Sequence, residues 1–197
     1  MHLNLKQPIM KTAHYFQIQS MIVCLATLLM AESVLAAPIR SNWVVENEYI
    51  KLEMIARTPE QMAAFYEARG FPKTAIRELG QMCFITTSLK NKSRDVIWMK
   101  LANWKFTGKQ GPLKRFHRNE LKARWQQIGL AQQYQSTFRW TLIPEVLDYR
   151  PDEREGGNIV LQRTDQPFSL QAQFIMGAEQ DGKRLSVKIG DLRCAQD

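Results

Sequence analysis

Apolar positions recur at every second residue over several stretches of this chain, and that period predicts a protein built mainly of β-strands. Ile50, Leu52 and Met54 alternate with Tyr49, Lys51 and Glu53, as in a strand buried on one face. Cys83, Ile85, Thr87 and Leu89 share one side of a second strand. The polar run 91–95 then turns the chain into a third, which sets Ile97, Met99 and Leu101 on one side. Trp104 and Phe106 are two apart but out of step with Leu101, so a bulge or kink is expected at Ala102-Asn103. Val96 and Trp98 weight the opposite face of this third strand. That predicts a central strand covered by an insertion helix, with the kink handing Trp104 to the loop that follows. Phe138, Trp140 and Leu142 alternate with Thr137, Arg139 and Thr141 and predict another strand, ended by Pro144. Residues 150–157 read as a polar loop and residues 158–161 as a short strand. Phe168, Leu170, Ala172, Phe174 and Met176 give five alternating apolar positions. An Asp181-Gly182 turn leads to the return strand of Leu185, Val187 and Ile189.

Two segments follow the helical period instead. Thr58-Pro59-Glu60-Gln61 is a helix start, with Thr58 as cap, Pro59 in the first turn and Gln61 closing a capping box. Met62, Phe65 and Tyr66 form its apolar stripe, the lid of a core, and Gly70 and Pro72 end it. A second helical turn fits residues 73–79. Asn119 is the expected cap of a helix reaching Ile128 and stopped by Gly129; Leu121, Trp125 and Ile128 face its core side. About seven strands with hairpin-like connections and two helical insertions make an antiparallel β-sandwich the expected fold, with a barrel of the same strands as the alternative.

The amino terminus changes the picture of where this domain works. Lys6 and Lys11 precede an apolar run over residues 21–31, too short for a membrane span. Val34-Leu35-Ala36 is a peptidase-type site, so residues 1–36 are expected to be a signal peptide cut after Ala36. The alternative is an uncleaved signal anchor, the one expected route to membrane contact. Cys24 follows bulky residues inside the apolar run and is not expected to be lipidated. Met10-Lys11 also has the look of a start, leaving residues 1–9 as upstream sequence. Residues 37–197 then form one domain, entered through a linker over residues 37–45. Loss of Lys6, Lys11 and Glu32 takes the formal charge from +8 to +7. Export to the periplasm or the extracellular space follows, and nucleic acid is not an expected partner there. Only Cys83 and Cys194 remain after cleavage, and one disulfide between them is expected in an oxidising compartment. Asn91-Lys92-Ser93 is a glycosylation sequon, meaningful in a host with an endoplasmic reticulum.

Candidate chemistry is sparse. His117 is the single histidine after the leader, and the methionines Met54, Met62, Met82, Met99 and Met176 fit core patterns. A small copper carrier built on them and His117 is the alternative to a binding module. No metal ligand set and no cofactor is expected. The carboxylate groups Asp152/Glu153/Glu155 and Glu145/Asp148 sit in loop sequence without the pattern of a glycosidase or a calcium loop, so a hydrolase is a third and weaker reading. No nucleophile elbow is present, and no catalytic residue is expected.

The informative charged stretch is residues 109–124. Lys109, Lys114, Arg115, Arg118, Lys122 and Arg124 face only Glu120, with Trp104, Phe116 and Trp125 flanking or interrupting them. Arginine beside aromatic residues is enriched in binding surfaces, and such a patch attracts carboxylates and phosphates. Trp104, Lys109, Lys114, Arg115, Phe116, His117, Arg118 and Lys122 form the expected surface for a partner, a protein or an acidic envelope polymer.

The run LDYRPDEREGGNIVL at residues 147–161, followed by PFSLQAQF, resembles the strand connections of exported immunoglobulin-like accessory domains. The resemblance covers about the last third of the chain. It implies an immunoglobulin-like sandwich that binds or supports a partner, and it transfers no catalytic residue.

Overall fold

A computed structural model describes residues 41–178, 180 and 182–196. The expectations for the leader, for the cut after Ala36 and for Asp181 lie outside the described residues. The chain order is β1 (Asn42–Glu46), β2 (Ile50–Arg57), α1 (Pro59–Glu67), α2 (Lys73–Gly80), β3 (Met82–Asn91), β4 (Ile97–Lys100), a 3-10 turn (Leu101–Asn103), β5 (Lys105–Gly108), β6 (Gly111–Pro112), α3 (Arg118–Gln127), α4 (Gln132–Thr141), β7 (Val146–Tyr149), β8 (Arg154–Gln162), β9 (Phe168–Met176) and β10 (Lys183–Leu192). Part of the expected entry linker is therefore strand: β1 pairs with β2, and Trp43 buries itself in the core.

The protein is mainly β, with antiparallel sheets. One sheet has the order β1-β2-β3-β8; the other runs β6-β5-β9-β4-β7, with β10 also paired to β9. Alternation dictates how they meet. Ile50, Leu52 and Met54 of β2, Cys83, Ile85 and Leu89 of β3, and Leu170, Ala172 and Phe174 of β9 all enter one shared core. Met82-Cys83-Phe84-Ile85 is apolar without alternation because the start of β3 is buried on both sides. Its second face, Met82 and Phe84, joins Val160 of β8 in a separate core under the helices, with Met62 and Tyr66 of α1, Leu79 of α2, Trp125 of α3 and Phe138 of α4. The helices thus cover β3 and β8, not β4 as expected. Trp98 of β4 is half-buried and donates its Nε1–H to Gly177 O at 2.7 Å.

The expected kink lies between β4 and β5. Both strands pair with β9, but from Met99 to Lys105 there are six steps against three from Phe174 to Gln171. The three extra residues are taken up by the 3-10 turn. An odd insertion exchanges the two faces, which is why Trp104 and Phe106 point inward although out of step with Leu101. Trp104 is therefore a core residue, 5% exposed and edge-on to Phe174. The expectation that it serves the basic loop is corrected: the kink keeps it inside.

Two further corrections concern local period. Residues 137–142 were expected as a strand, but 137–141 form the last turns of α4 (Gln132–Thr141) and Leu142 caps it, leaving Trp140 87% exposed. The protein therefore has four helices among the described residues, where two insertions were expected. The loop expected at 150–157 is shorter, since β8 starts at Arg154 and pairs with Lys90 of β3.

Cys83 and Cys194 are joined by a disulfide, with Cα atoms 5.4 Å apart. Leu192 reaches the core past a one-residue slip between β10 and β9, with Asp191 at φ 55°. That bulge brings Cys194 over the start of β3, so the bond ties one sheet to the other. Asn91 is also structural. Fully buried, it donates from Nδ2 to Asp95 O and Tyr149 O, at 2.7 and 2.8 Å, while Oδ1 accepts from Ser93 N and Oγ. The sequon asparagine is closed to a glycan in the folded protein.

Candidate functional site

The basic run resolves into charges that are already paired and charges that are not. Lys114 Nζ lies 2.9 Å from Glu120. Arg115 grips Glu145 with two bonds of 2.9 Å and is largely covered. Burial pushes the Glu145 carboxyl up, but its bond from Arg115 and the charges of Arg115 and His117 outweigh that, so it stays below the usual carboxylate range. Arg124 is tied to Glu78 of α2 at 2.7 Å. These three basic side chains hold loop, helices and sheet together. Phe116 packs against the helical core, with Lys114 Nζ 5.1 Å from its ring centre. His117, not Asn119, is the cap of α3, where its N–H donates to Glu120 at 2.8 Å. Lys109 stands exposed at the β5–β6 turn. Of the eight expected surface residues, Arg118 and Lys122 remain as cations directed to a common site, and Trp104 is removed from the surface altogether.

That site is the cleft between α3 and α4, of about 260 Å³. Gly129, at φ 68°, stops α3 as expected and lets the chain double back, with Leu130 N–H donating to Trp125 O at 2.9 Å. The two helices then lie side by side. Arg118 and Lys122 come from one helix, four residues apart on a single face, and Arg139 comes from the other. Among the described residues, no carboxylate lines the cleft. Lys122 and Arg139 have no ion pair among the described residues. Arg118 anchors one guanidinium nitrogen on Leu142 O at 2.7 Å. Burial, and next the charge of Arg139, pull the Arg118 guanidinium below its ordinary range, with Glu145 opposing from outside the cleft.

Some residues around the same cleft also carry buried polar atoms without a partner. Five buried side-chain nitrogen or oxygen atoms lack a hydrogen-bond partner among the described residues. Three of them, Arg118 Nε, Trp125 Nε1 and Gln135 Oε1, belong to residues lining the cleft. The other two, Trp43 Nε1 and Trp104 Nε1, belong to the core between the sheets. Each buried group left without a partner costs about 1–3 kcal/mol. All three atoms are closed to solvent, so what the cleft offers a ligand is the charge of Arg118, Lys122 and Arg139.

Gln135 and Arg139, which line the cleft, were missed as site residues. Trp125 was read as a packing residue and is buried in the helical core, and the strand reading of 137–142 set Arg139 on the polar face, alternating with Phe138, Trp140 and Leu142. The available signal was Tyr134, Phe138 and Thr141 at helical spacing behind a glutamine-rich start, against the alternation of Phe138, Trp140 and Leu142. The methionines of the copper alternative are divided: Met54, Met99 and Met176 belong to the core between the sheets, Met62 and Met82 to the core under the helices. Tyr66, raised to about 12 by burial, bonds Thr141 at 2.7 Å and links α1 to α4.

No family model and no curated protein matches the chain. Among solved structures it is similar to a protein of Bacillus subtilis subsp. subtilis strain 168 labelled as a lipoprotein (ycdA), at 8% identity and a TM-score of 0.41. The match covers 77% of this chain and 39% of that protein. A likeness at this level defines neither a family nor an activity.

Proposed function

We propose that this chain is an exported, non-catalytic binding protein whose immunoglobulin-like two-sheet body presents the α3–α4 cleft to an acidic partner, a protein or an acidic envelope polymer. One observation carries this reading: three cations, Arg118, Lys122 and Arg139, line one cleft in which, among the described residues, there is no carboxylate. An inter-sheet disulfide closing a long loop fits life in an oxidising compartment. Conserving the paired cations Lys114, Arg115 and Arg124 for structure leaves Lys122 and Arg139 as the pair to reverse. Capture of the partner from the native envelope fraction should be lost with Lys122→Glu/Arg139→Glu and weakened by salt. Equal recovery of the same partner by the double variant contradicts the proposal.

A further inference from the structure

We infer that a second cleft, between α1 and the sheet, takes a small amphipathic acid, one carboxylate carried on an apolar chain. It is lined by residues of α1, of β2, β3 and β8, and of the end of α4. Its volume is about 600 Å³, within the roughly 300–1,000 Å³ usual for small-molecule sites. It shares no lining residue with the α3–α4 cleft, so this site goes beyond the proposed function and stands or falls apart from it.

Alternation builds the floor. Met82, Phe84 and Val160 meet the helical core on the outer face of β3 and β8. One pleat further along, the same face presents Thr86 and Asn158, which are partners in the strand register. Arg57 donates from Nε to Thr86 Oγ1 at 3.0 Å, and Thr86 Oγ1 donates to Asn158 Oδ1 at 2.8 Å. This chain of bonds holds the Arg57 guanidinium and the Asn158 amide on one patch of floor. Both residues are half-buried, and neither has a polar atom that is sealed from solvent and unpartnered. α1 supplies the apolar wall, with Met62 and the exposed ring of Phe65.

Charge and hydrogen-bonding sense select the ligand. Among the described residues, Arg57 is the only charged residue lining the cleft, and it has no ion pair. One uncompensated cation attracts an anion and matches a single charge. The side-chain oxygens of the cleft are already bonded. Thr86 and Asn158 are linked as above, Gln61 Oε1 accepts from Thr58 N at 3.3 Å, and Thr141 Oγ1 lies 2.7 Å from Tyr66 Oη. The groups left to a ligand are donors, the terminal N–H groups of Arg57 and the amide N–H groups of Asn158. A carboxylate accepts only, and so fits them. A sugar or a peptide segment brings hydroxyl or amide donors, for which the lining holds no unbonded side-chain acceptor. Acetate or sulfate would leave Met62 and Phe65 uncovered, whereas an apolar chain buries them.

The test uses the secreted, ¹⁵N-labelled protein with its disulfide intact, titrated with octanoate. The backbone amide signals of Thr86 and Gly157, both lining the cleft, should shift saturably. Octanol, octylamine and acetate at the same concentrations should leave them in place. Arg57→Gln should weaken the octanoate response by about tenfold or more, and Arg57→Lys should restore part of it. Phe65→Ala, at an exposed position, should weaken it by about fivefold. Lys122→Glu/Arg139→Glu should leave it unchanged, so that failure here and failure of the α3–α4 reading are told apart. Unmoved Thr86 and Gly157 signals, an equal response to octanol or octylamine, or full octanoate affinity in both Arg57→Gln and Phe65→Ala overturns the inference. So does a response to acetylated dileucine and not to octanoate.

Discussion

Removing the Cys83–Cys194 bond should cost this domain a large part of its stability. The residues are 111 apart in sequence, and closing a loop of that length restricts the unfolded chain by about 4.8 kcal/mol at 25 °C in the chain-entropy model. Both cysteines are buried, at 1% and 6% exposure, so Cys83→Ala/Cys194→Ala also removes apolar contact of roughly 1 kcal/mol per site. The bond joins β3 to the segment after β10, so its loss is felt across both sheets. Domains of this kind are stable by about 5–15 kcal/mol, and a loss of about 5–7 kcal/mol brings the weaker end of that range to unfolding. Urea unfolding followed by tryptophan fluorescence measures the effect, with the oxidised protein and the double variant compared at one temperature. The midpoint should fall, and the slope should rise because the unlinked denatured chain exposes more surface. A loss below about 1 kcal/mol, or two thiols alkylated in the untreated secreted protein, refutes the reasoning.

Two tryptophans give a sharp contrast. Trp104→Ala, at a 5% exposed core site, should destabilise by about 3–5 kcal/mol, whereas Trp140→Ala, at 87% exposure, should stay within about 0.5 kcal/mol in the same urea assay. The Arg115–Glu145 pair gives a pH signature. Because the folded Glu145 carboxyl lies below its ordinary value, its stabilisation is complete above the unfolded pKa and is lost as pH falls through the folded one. Glu145→Gln should lower stability near pH 7 and flatten its fall between about pH 5 and about pH 3 relative to the parent; parallel curves would contradict the assignment.

The sheets were legible because their signal is local. Alternation in β2, β3, β9 and β10 names the inward residues, and the out-of-step pair Trp104 and Phe106 reports the insertion between β4 and β5. What that parity change does to Trp104 was not legible: two outcomes, inside or on the loop, share one sequence pattern, and pairing with β9 decides between them. The α4 segment failed for a related reason. Over six residues, Phe138, Trp140 and Leu142 satisfy a strand, and only the wider window with Tyr134 favours a helix. With α4 misread, the cleft had one wall. The basic run supplied Arg118 and Lys122, but nothing local distinguishes them from Arg115 and Arg124, whose partners Glu145 and Glu78 lie 30 and 46 residues away. Charge that binds a partner and charge that binds the fold look alike until the fold is known.

The most direct test of the central claim is a crosslinking map in the native envelope. A photoreactive residue replaces either Lys122, on the cleft, or Lys188, an exposed position of β10 in the other sheet. The account predicts crosslinks to the acidic partner from position 122 and none from position 188. Crosslinks from 188 alone, or equally from both, would contradict a binding site between α3 and α4.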